Sequence, residues 1–344
     1  MNAQMSRVRG ILKNKGFASR TAKTACALVL AAGLWGCGDA YSQSITEPLQ
    51  PAAEKATVQQ AAGQVSPELA AAGQAAAILN AGVMTTHDAP DGGSAKFLFD
   101  PLYDDHFGSL AELTPELISA IIAGDAPYDE VDAVFVSHAH GDHFSVSQLT
   151  KMMDAQDQLV LVIPAQGLER LRGGPDWSAD FETRVRPITL ENGEASKPFE
   201  VAGAKVDAFR SPHAGWPERH AQVHNITYRV SVADEIEAGK VARVSRVMHL
   251  GDADPAAQHF SALEDLLQAQ RTGLAIVPFW FTRADDPSAL SNQTLNAQTM
   301  VAVHVPVDVP EDLKTGKWAY FSKVGEVLEI PVSETIVLPT QKTK

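Results

Sequence analysis

Short apolar runs bounded by turn residues recur from about residue 78 onward, and they predict a series of buried β-strands. The run at 132–137 is nearly continuous in apolar residues, as expected of a strand that is covered on both faces. The run at 96–99 leads into Asp100-Pro101, a strand that ends at a turn. The same pattern predicts further strands at 159–163, 206–209, 226–232, 241–250, 274–279 and 300–305.

Helical periodicity lies between several of these runs. Helices are predicted at 115–123, 146–154 and 255–270, and the last places Phe260, Leu263 and Leu267 on one face. Because strands repeatedly precede helices, the chain is predicted to fold as an α/β structure with helices layered on sheets.

The N-terminus has the pattern of a secretory signal. Residues 1–36 contain six basic side chains and no acidic one, and an apolar run at 25–34 follows the basic region. A membrane-spanning helix needs roughly 20 apolar residues, so this run is too short to be one. We therefore expect residues 1–36 to be a signal peptide.

The end of this signal resembles the lipobox of bacterial lipoproteins. Leu34-Trp35-Gly36-Cys37 has the aliphatic residue, the small residue and the cysteine of that motif, although Trp35 replaces a small residue. The resemblance implies a lipid on Cys37, membrane attachment through it, and a location in the bacterial cell envelope. The alternative is ordinary cleavage after residues 38–40, which would release a soluble periplasmic or secreted protein.

The segment that follows is poor in large apolar residues. It is rich in Ala, Gln, Glu, Ser and Pro, so burial would not offset the entropy lost on ordering it. We expect residues 37–77 to be a low-complexity tether and residues 78–344 to form the folded domain.

Charge and cysteine content limit the classes of partner and site that the protein can have. The chain has 28 basic and 42 acidic side chains, and removal of residues 1–36 leaves 22 and 42, a net charge of −20. Such a balance disfavours a nucleic-acid partner, which would approach against the field of the protein. Cys26 and Cys37 are the only cysteines. The folded domain therefore has no disulfide, thiolate ligand or cysteine nucleophile.

A group of imidazoles and carboxylates follows the strand at 132–137. His138 and His140 can point the same way from an extended backbone, and Gly141 permits a turn that brings Asp142 and His143 round. Neutral imidazoles and carboxylates are natural ligands for a borderline divalent metal. Without a metal, little would offset the desolvation of so many polar groups, so the segment predicts a metal site.

Two further candidate ligands follow other strands. Asp252 lies just past the strand at 241–250, in Gly251-Asp252-Ala253-Asp254, and His304 ends the apolar run that begins at Met300. Ligands of open α/β proteins gather where several strands end, so both residues are expected to join the first group.

The series HAHGDH, a downstream histidine, GDAD and a final histidine resembles the metallo-β-lactamase superfamily, over about residues 78–305. The resemblance implies an αββα sandwich of two mixed sheets flanked by helices, with two metals at one edge. His138 and His140 would bind the first metal, and Asp142, His143 and His304 the second. Asp252 would bridge the two.

The remaining ligand of the first metal has two candidates. His213 follows the strand at 206–209, as that ligand does in members of the family, and His220 lies in the next loop. His224 and Asn225 open a strand and are expected to support the site, whereas His249 is expected to be structural. His87, His106 and His259 have no supporting context.

The resemblance also implies a reaction. Two divalent ions, Zn²⁺ by expectation with Mn²⁺ or Fe²⁺ as alternatives, would hold a hydroxide that attacks a carbonyl or phosphoryl centre. Asp142 would orient the attacking water as a base. Asp100 and Ser137 are expected to hold ligand imidazoles by hydrogen bonds. Residues 279–281 and Trp216 are candidates for the wall of a substrate pocket.

The expected substrate is a small or lipid-derived ester, lactone or phosphodiester. This expectation rests on a resemblance to hydrolases related to ascorbate-6-phosphate lactonases and N-acyl-phosphatidylethanolamine phospholipases D. The alternative from another class is a metal-binding envelope lipoprotein that acts as a scaffold without catalysis.

Overall fold

The computed structural model describes residues 71–89, 93–237 and 241–337. The predicted signal peptide, Cys37 and most of the predicted tether lie outside these residues. The described residues form fourteen β-strands: β1 (Ala71–Leu79), β2 (Gly82–Asp88), β3 (Ser94–Phe99), β4 (Ala133–Phe135), β5 (Val160–Pro164), β6 (Val185–Ile188), β7 (Phe199–Val201), β8 (Ala204–Arg210), β9 (Ile226–Glu237), β10 (Val241–His249), β11 (Thr272–Pro278), β12 (Ala297–Val303), β13 (Ala319–Tyr320) and β14 (Val327–Val337).

Helices occupy many of the connections between strands. The α-helices are α1 (Pro115–Ala123), α2 (Val146–Ala155), α3 (Ala165–Arg172), α4 (Glu264–Ala269), α5 (Pro287–Ala289) and α6 (Glu311–Thr315), with 3₁₀-helices at Ala179–Arg184, Ala257–Leu263 and Phe279–Arg283 and a π-turn at Leu290–Thr294. Local sequence sets the ends of α1, because the Thr114 hydroxyl accepts from the Leu117 N–H and Gly124 ends the helix at a φ of 71°. Within the described part of the chain, no helix has the length and apolarity needed to cross a membrane.

The strands form two sheets that share β14. The first has the order β14-β1-β2-β3-β4-β5-β6, and the second contains β7 to β13 with β10 at its centre. The first half of β14 pairs with β1, and from Val332 onward it pairs with β10. Pro331 lies where the strand changes partners, a position that tolerates the missing N–H of proline.

Four apolar clusters show how the layers pack. The first sheet buries one face against α1, α2 and α3, through side chains such as Leu98, Ile121 and Leu149. Its other face packs on the second sheet through Phe135 and Tyr228, among others. The outer face of the second sheet is covered by the 3₁₀-helix at Ala257–Leu263 and by α4, and further inter-sheet contacts lie around β1 and β11. The predicted αββα sandwich is confirmed.

The structure corrects some predicted boundaries. β1 begins at Ala71, so residues 71–77 belong to the sheet and not to the tether that was expected to reach 77. β1 pairs with β14 and β2, and its small Ala and Gly residues give no run of large apolar side chains in the sequence. The predicted helix at 255–270 divides into a 3₁₀-helix and α4. β14 and α3 were not predicted.

The imidazole of His87 is buried in the first sheet, away from the predicted metal ligands. Its ring nitrogens lie 2.7 Å from Ser245 Oγ and 3.1 Å from Thr85 Oγ1, and its ring packs on Phe97. Burial lowers the pKa of His87 to about 3. The folded protein therefore keeps His87 neutral at pH values where the unfolded chain, with a pKa of roughly 6.5, binds a proton.

We predict that His87→Gln reduces the loss of stability on acidification. Because the unfolded state binds the extra proton, this histidine lowers the free energy of unfolding by about 2 kcal/mol between pH 7 and pH 5. Urea unfolding of the wild type and of His87→Gln at both pH values measures the difference, with His106→Gln as a control. An equal pH dependence in wild type and His87→Gln would contradict the prediction.

Candidate metal centre

The predicted metal ligands meet at one edge of the sandwich, where four strands end. The segment from His138 to His143 follows β4, and His213 follows β8. Asp252 follows β10, and His304 follows β12. The N–H of Ala214 donates to the carbonyl of Asp252 at 2.8 Å, which holds the end of β8 against the end of β10.

The side chains form two adjacent groups, each able to hold a metal ion. The first group is His138, His140 and His213, and the second group is Asp142, His143, Asp252 and His304. Within each group one ligand atom per residue lies within 4.8 Å of the others. Nε2 of His213 lies 3.5 Å from Oδ2 of Asp252. Asp252 therefore lies between the two groups, which is the position expected of a bridging carboxylate.

Contacts in the second group bring imidazole nitrogens against carboxylate oxygens. Nε2 of His304 lies 3.0 Å from Oδ2 of Asp142, and Nε2 of His143 lies 3.1 Å from Oδ1 of Asp252. All four side chains are buried or nearly so. Two carboxylates are thus held close together in a site with little access to water.

Unpaired buried atoms show that a cation fits this cluster. Oδ1 of Asp142 and Nε2 of His213 are buried without a hydrogen bond from any described residue. Nδ1 of His213 donates to the carbonyl of Ala214 at 2.9 Å, so the lone pair on its Nε2 is free. A buried polar atom without a partner costs about 1–3 kcal/mol. Cations bound between the two groups would offset that cost.

Burial controls the protonation of the first group. It lowers the pKa of His138, and it lowers the pKa of His140 to about 4, helped in both cases by neighbouring imidazoles. Both rings are therefore neutral at pH 7, which is the form that binds a metal.

In the second group, the effect of neighbouring charges on the pKa values outweighs that of burial. Burial opposes protonation of His143, but Asp252, Asp142 and the hydrogen bond to Asp100 raise its pKa well above the usual value. Burial likewise opposes ionisation of Asp252, but His304 and His143 lower the pKa of this carboxyl well below its usual value. A cation that binds here takes over the charge of the imidazolium, so metal binding releases a proton.

Asp100 supports the candidate metal ligands by hydrogen bonds, as predicted from the sequence. Its carboxylate accepts from the backbone N–H of Ser137 (2.7 Å), from the Ser137 hydroxyl (2.6 Å) and from Nδ1 of His143 (2.8 Å). The Ser137 oxygen also lies 3.0 Å from Nδ1 of His138. One carboxylate therefore orients an imidazole of each group.

Asn225 and Gly251 shape the turn that carries Asp252. Oδ1 of Asn225 accepts from the Asp252 N–H at 3.0 Å, and its Nδ2 donates to the carbonyl of Leu250. Gly251 has a φ of 54°, and a Cβ there would overlap Oδ1 of Asn225 and the side chain of Ser137. Only glycine fits, so this turn is built to place Asp252.

The geometry favours His213 over His220 as the third member of the first group. The His220 ring lies 4.5 Å from the His213 ring and 5.4 Å from the His140 ring, but His220 belongs to neither of the two groups that could hold a metal ion. His249 is structural, since Nε2 of its ring donates to the carbonyl of Ala81 and the ring stacks on Phe99.

The predicted aromatic residues differ in their distance from the site. Trp280 packs on His304 with ring centroids 5.2 Å apart, and its indole N–H donates to the carbonyl of Ala253. Phe281 is fully buried in the outer core and does not line the site. Trp216 packs on His259, next to the cluster and not on a member of either group.

Sequence reasoning missed two residues that hold the cluster. Asn80, in the turn between β1 and β2, donates from Nδ2 to the carbonyl of Asp142 at 2.7 Å and accepts the His304 N–H at 2.9 Å. Arg170, on α3, donates to the carbonyl of Ala139. The turn sequence Asn-Ala-Gly was the only signal for Asn80, and it indicates a turn without indicating a contact 62 residues away.

Comparison with known proteins identifies the family. The beta-lactamase superfamily domain matches residues 95–314, which is well over half of the chain. The chain belongs to this family. No curated protein sequence matches it. The predicted metallo-β-lactamase fold is confirmed at the level of this family.

Three solved structures illustrate what the fold is similar to. A metallo hydrolase from the archaeon Ignicoccus hospitalis is 14% identical, with a TM-score of 0.44, over 78% of this chain and 99% of that one. The isothiocyanate hydrolase from Delia radicum gut bacteria is 14% identical, with a TM-score of 0.45, over 75% and 99%. CmlA, a diiron beta-hydroxylase from Streptomyces venezuelae, is 11% identical, with a TM-score of 0.45, over 76% and 54%.

We predict that Asp100→Asn weakens metal binding by roughly 10–100-fold, because the amide no longer accepts from both Ser137 and His143. Competition with a chelator measures the affinity for Zn²⁺. Asp129→Asn, at an exposed carboxylate paired with Lys96, is the matched control. Equal affinities for Asp100→Asn and wild type would show that Asp100 does not orient the ligands.

Proposed function

We propose that this protein is a hydrolase with a dinuclear metal site that cleaves an ester, lactone or phosphodiester bond. The observation that carries the proposal is the pair of adjacent groups with Asp252 between them. The cluster offers imidazole and carboxylate atoms, which suit Zn²⁺ first, with Mn²⁺ or Fe²⁺ as alternatives. His138, His140 and His213 would hold one ion, and Asp142, His143 and His304 the other.

The metals would supply Lewis acidity and lower the pKa of a water molecule in the site. The protein supplies orientation and proton transfer. Oδ1 of Asp142 is buried without a partner among the described residues, so it is available to accept a proton from the attacking water. Oδ2 of the same carboxylate lies 3.0 Å from Nε2 of His304, so these two atoms would face the second ion and leave Oδ1 for the water. The indole of Trp280 packs on His304 and restricts the access of bulk water.

The substrate class is proposed from charge and from the features of the sequence. The acidic balance of the chain disfavours nucleic acid, so we propose a small or lipid-derived substrate. The segment 277–281 and the GDAD motif support a more specific assignment within the family. From these features we propose that the chain belongs with hydrolases related to ascorbate-6-phosphate lactonases and N-acyl-phosphatidylethanolamine phospholipases D.

We predict that purified protein contains close to two divalent ions per chain and hydrolyses at least one of three probes. The probes are p-nitrophenyl acetate, γ-butyrolactone and bis-p-nitrophenyl phosphate. His140→Ala is expected to lose one ion and at least 100-fold in kcat/KM, because the first group keeps only two imidazoles. His106→Ala, outside both groups, is the control. Elemental analysis and steady-state rates measure the two properties.

Two outcomes would contradict this assignment. Metal content near one ion per chain would exclude the dinuclear centre. Two bound ions without turnover on any ester, lactone or phosphodiester would favour the other class of function, a metal-binding envelope lipoprotein that serves as a scaffold.

We also propose that Cys37, outside the described residues, carries a lipid that anchors the protein in the bacterial envelope. The lipobox-like Leu34-Trp35-Gly36-Cys37 supports this anchor. Cys37→Ala is expected to move the protein from the membrane fraction to the soluble fraction, and Cys26→Ala is the matched control. Membrane partitioning that Cys37→Ala leaves unchanged would exclude lipidation at this residue and favour plain secretion.

A further inference from the structure

An apolar cavity of about 270 Å³ lies beside the candidate metal centre. The end of β1, the loop after β12 and the loop before β14 form its walls. Most of its lining side chains are apolar: Ala77, Leu79, Ala111, Val305, Val309 and Phe321. An apolar cavity of about 150 Å³ already admits a benzene-sized ligand, so this one has room for a chain of several carbon atoms.

Covalent neighbours and hydrogen bonds join the cavity to the metal centre. Val305, in its wall, directly follows His304 of the second group. Asn80 lines the cavity and is 93% buried. Its side chain donates to the carbonyl of Asp142, and its backbone carbonyl accepts the N–H of His304. The cavity and the second group therefore share a wall.

Exposed apolar side chains lie on the cavity wall and close to it along the chain. Phe107, Val307 and Val324 are 61%, 66% and 47% exposed, and these are the exposed large apolar side chains of the described residues. Val307 lines the cavity, and its N–H donates to the carbonyl of Ser109, two residues after Phe107. Val324 follows Lys323, which also lines the cavity. Exposed apolar side chains beside an apolar cavity are typical of a binding site for an apolar ligand.

We propose that this cavity binds the aliphatic chain of the substrate, while the bond to be cleaved lies over the second group. The inference rests on the proposed hydrolase function and narrows its substrate to esters, lactones or phosphodiesters that carry an alkyl or acyl chain. Val305 and Phe321 would contact the chain, and Phe107 and Val307 would contact the part that enters from solvent. Each methylene group moved from water into this wall contributes to binding, so affinity should rise with chain length.

A binding measurement that needs no turnover tests the cavity itself. Octan-1-ol is the probe because a neutral alcohol lacks the carboxylate that would bind a metal directly. In calorimetry with the metal-loaded protein, octan-1-ol is expected to bind at least tenfold more tightly than butan-1-ol, with a negative heat capacity change. Absence of octan-1-ol binding would overturn the proposal, whether or not the protein hydrolyses an ester.

Variants then assign the binding to this cavity. Ala111→Phe and Val309→Phe fill it from two sides, and the exposed Val307→Asp places a charge at its mouth without touching the core. Each is expected to weaken octan-1-ol binding at least tenfold and to raise KM for p-nitrophenyl octanoate by a larger factor than KM for p-nitrophenyl acetate. Ala155→Phe, at the exposed end of α2, is the control. Octan-1-ol binding that survives all three changes would place the chain elsewhere and overturn the proposal.

Discussion

Two carboxylates held beside imidazoles in a desolvated pocket are the constraint on which this structure depends. Asp142 and Asp252 are buried, and Oδ1 of Asp142 receives no hydrogen bond from a described residue. Such an arrangement costs free energy unless a cation offsets it. The rest of the sandwich can be understood as the scaffold that brings these two side chains, from segments more than a hundred residues apart, to the same edge.

Several backbone positions in and around the candidate metal centre are strained. Asn80, Asp100 and His304 have positive φ angles of 55°, 43° and 59°, a conformation that costs about 1–3 kcal/mol for residues other than glycine. The positive φ angle turns the residue toward its hydrogen-bond partners. Asp100 turns back to accept from Ser137 and His143, and His304 turns away from β12 toward Asp142. The hydrogen bonds of the site are what hold these residues in place.

Elements of the fold with clear local sequence signals were predictable, and elements that depend on distant partners were not. The helix α1 has the predicted bounds, because a Thr cap, a Pro and a terminal Gly define it locally. β1 was missed because it consists mainly of alanine, with large apolar side chains only at its end. β14 contains Pro331, which argues against a continuous strand, and only the switch between two sheets makes that residue acceptable. No local pattern reports such a switch.

The same distinction holds for the candidate site: some of its residues have a local sequence signal, and others are recognised only from their distant contacts. The seven candidate ligands are visible in the sequence because each follows the end of a strand, and chemistry gathers where strands end. Asn80 was invisible, since an asparagine in a tight turn is common and its partners lie 62 and 224 residues away. It is nevertheless the residue through which the apolar cavity and the second group touch. Their shared wall means that a ligand in the cavity and a ligand at the metals would contact opposite sides of the turn that contains Asn80.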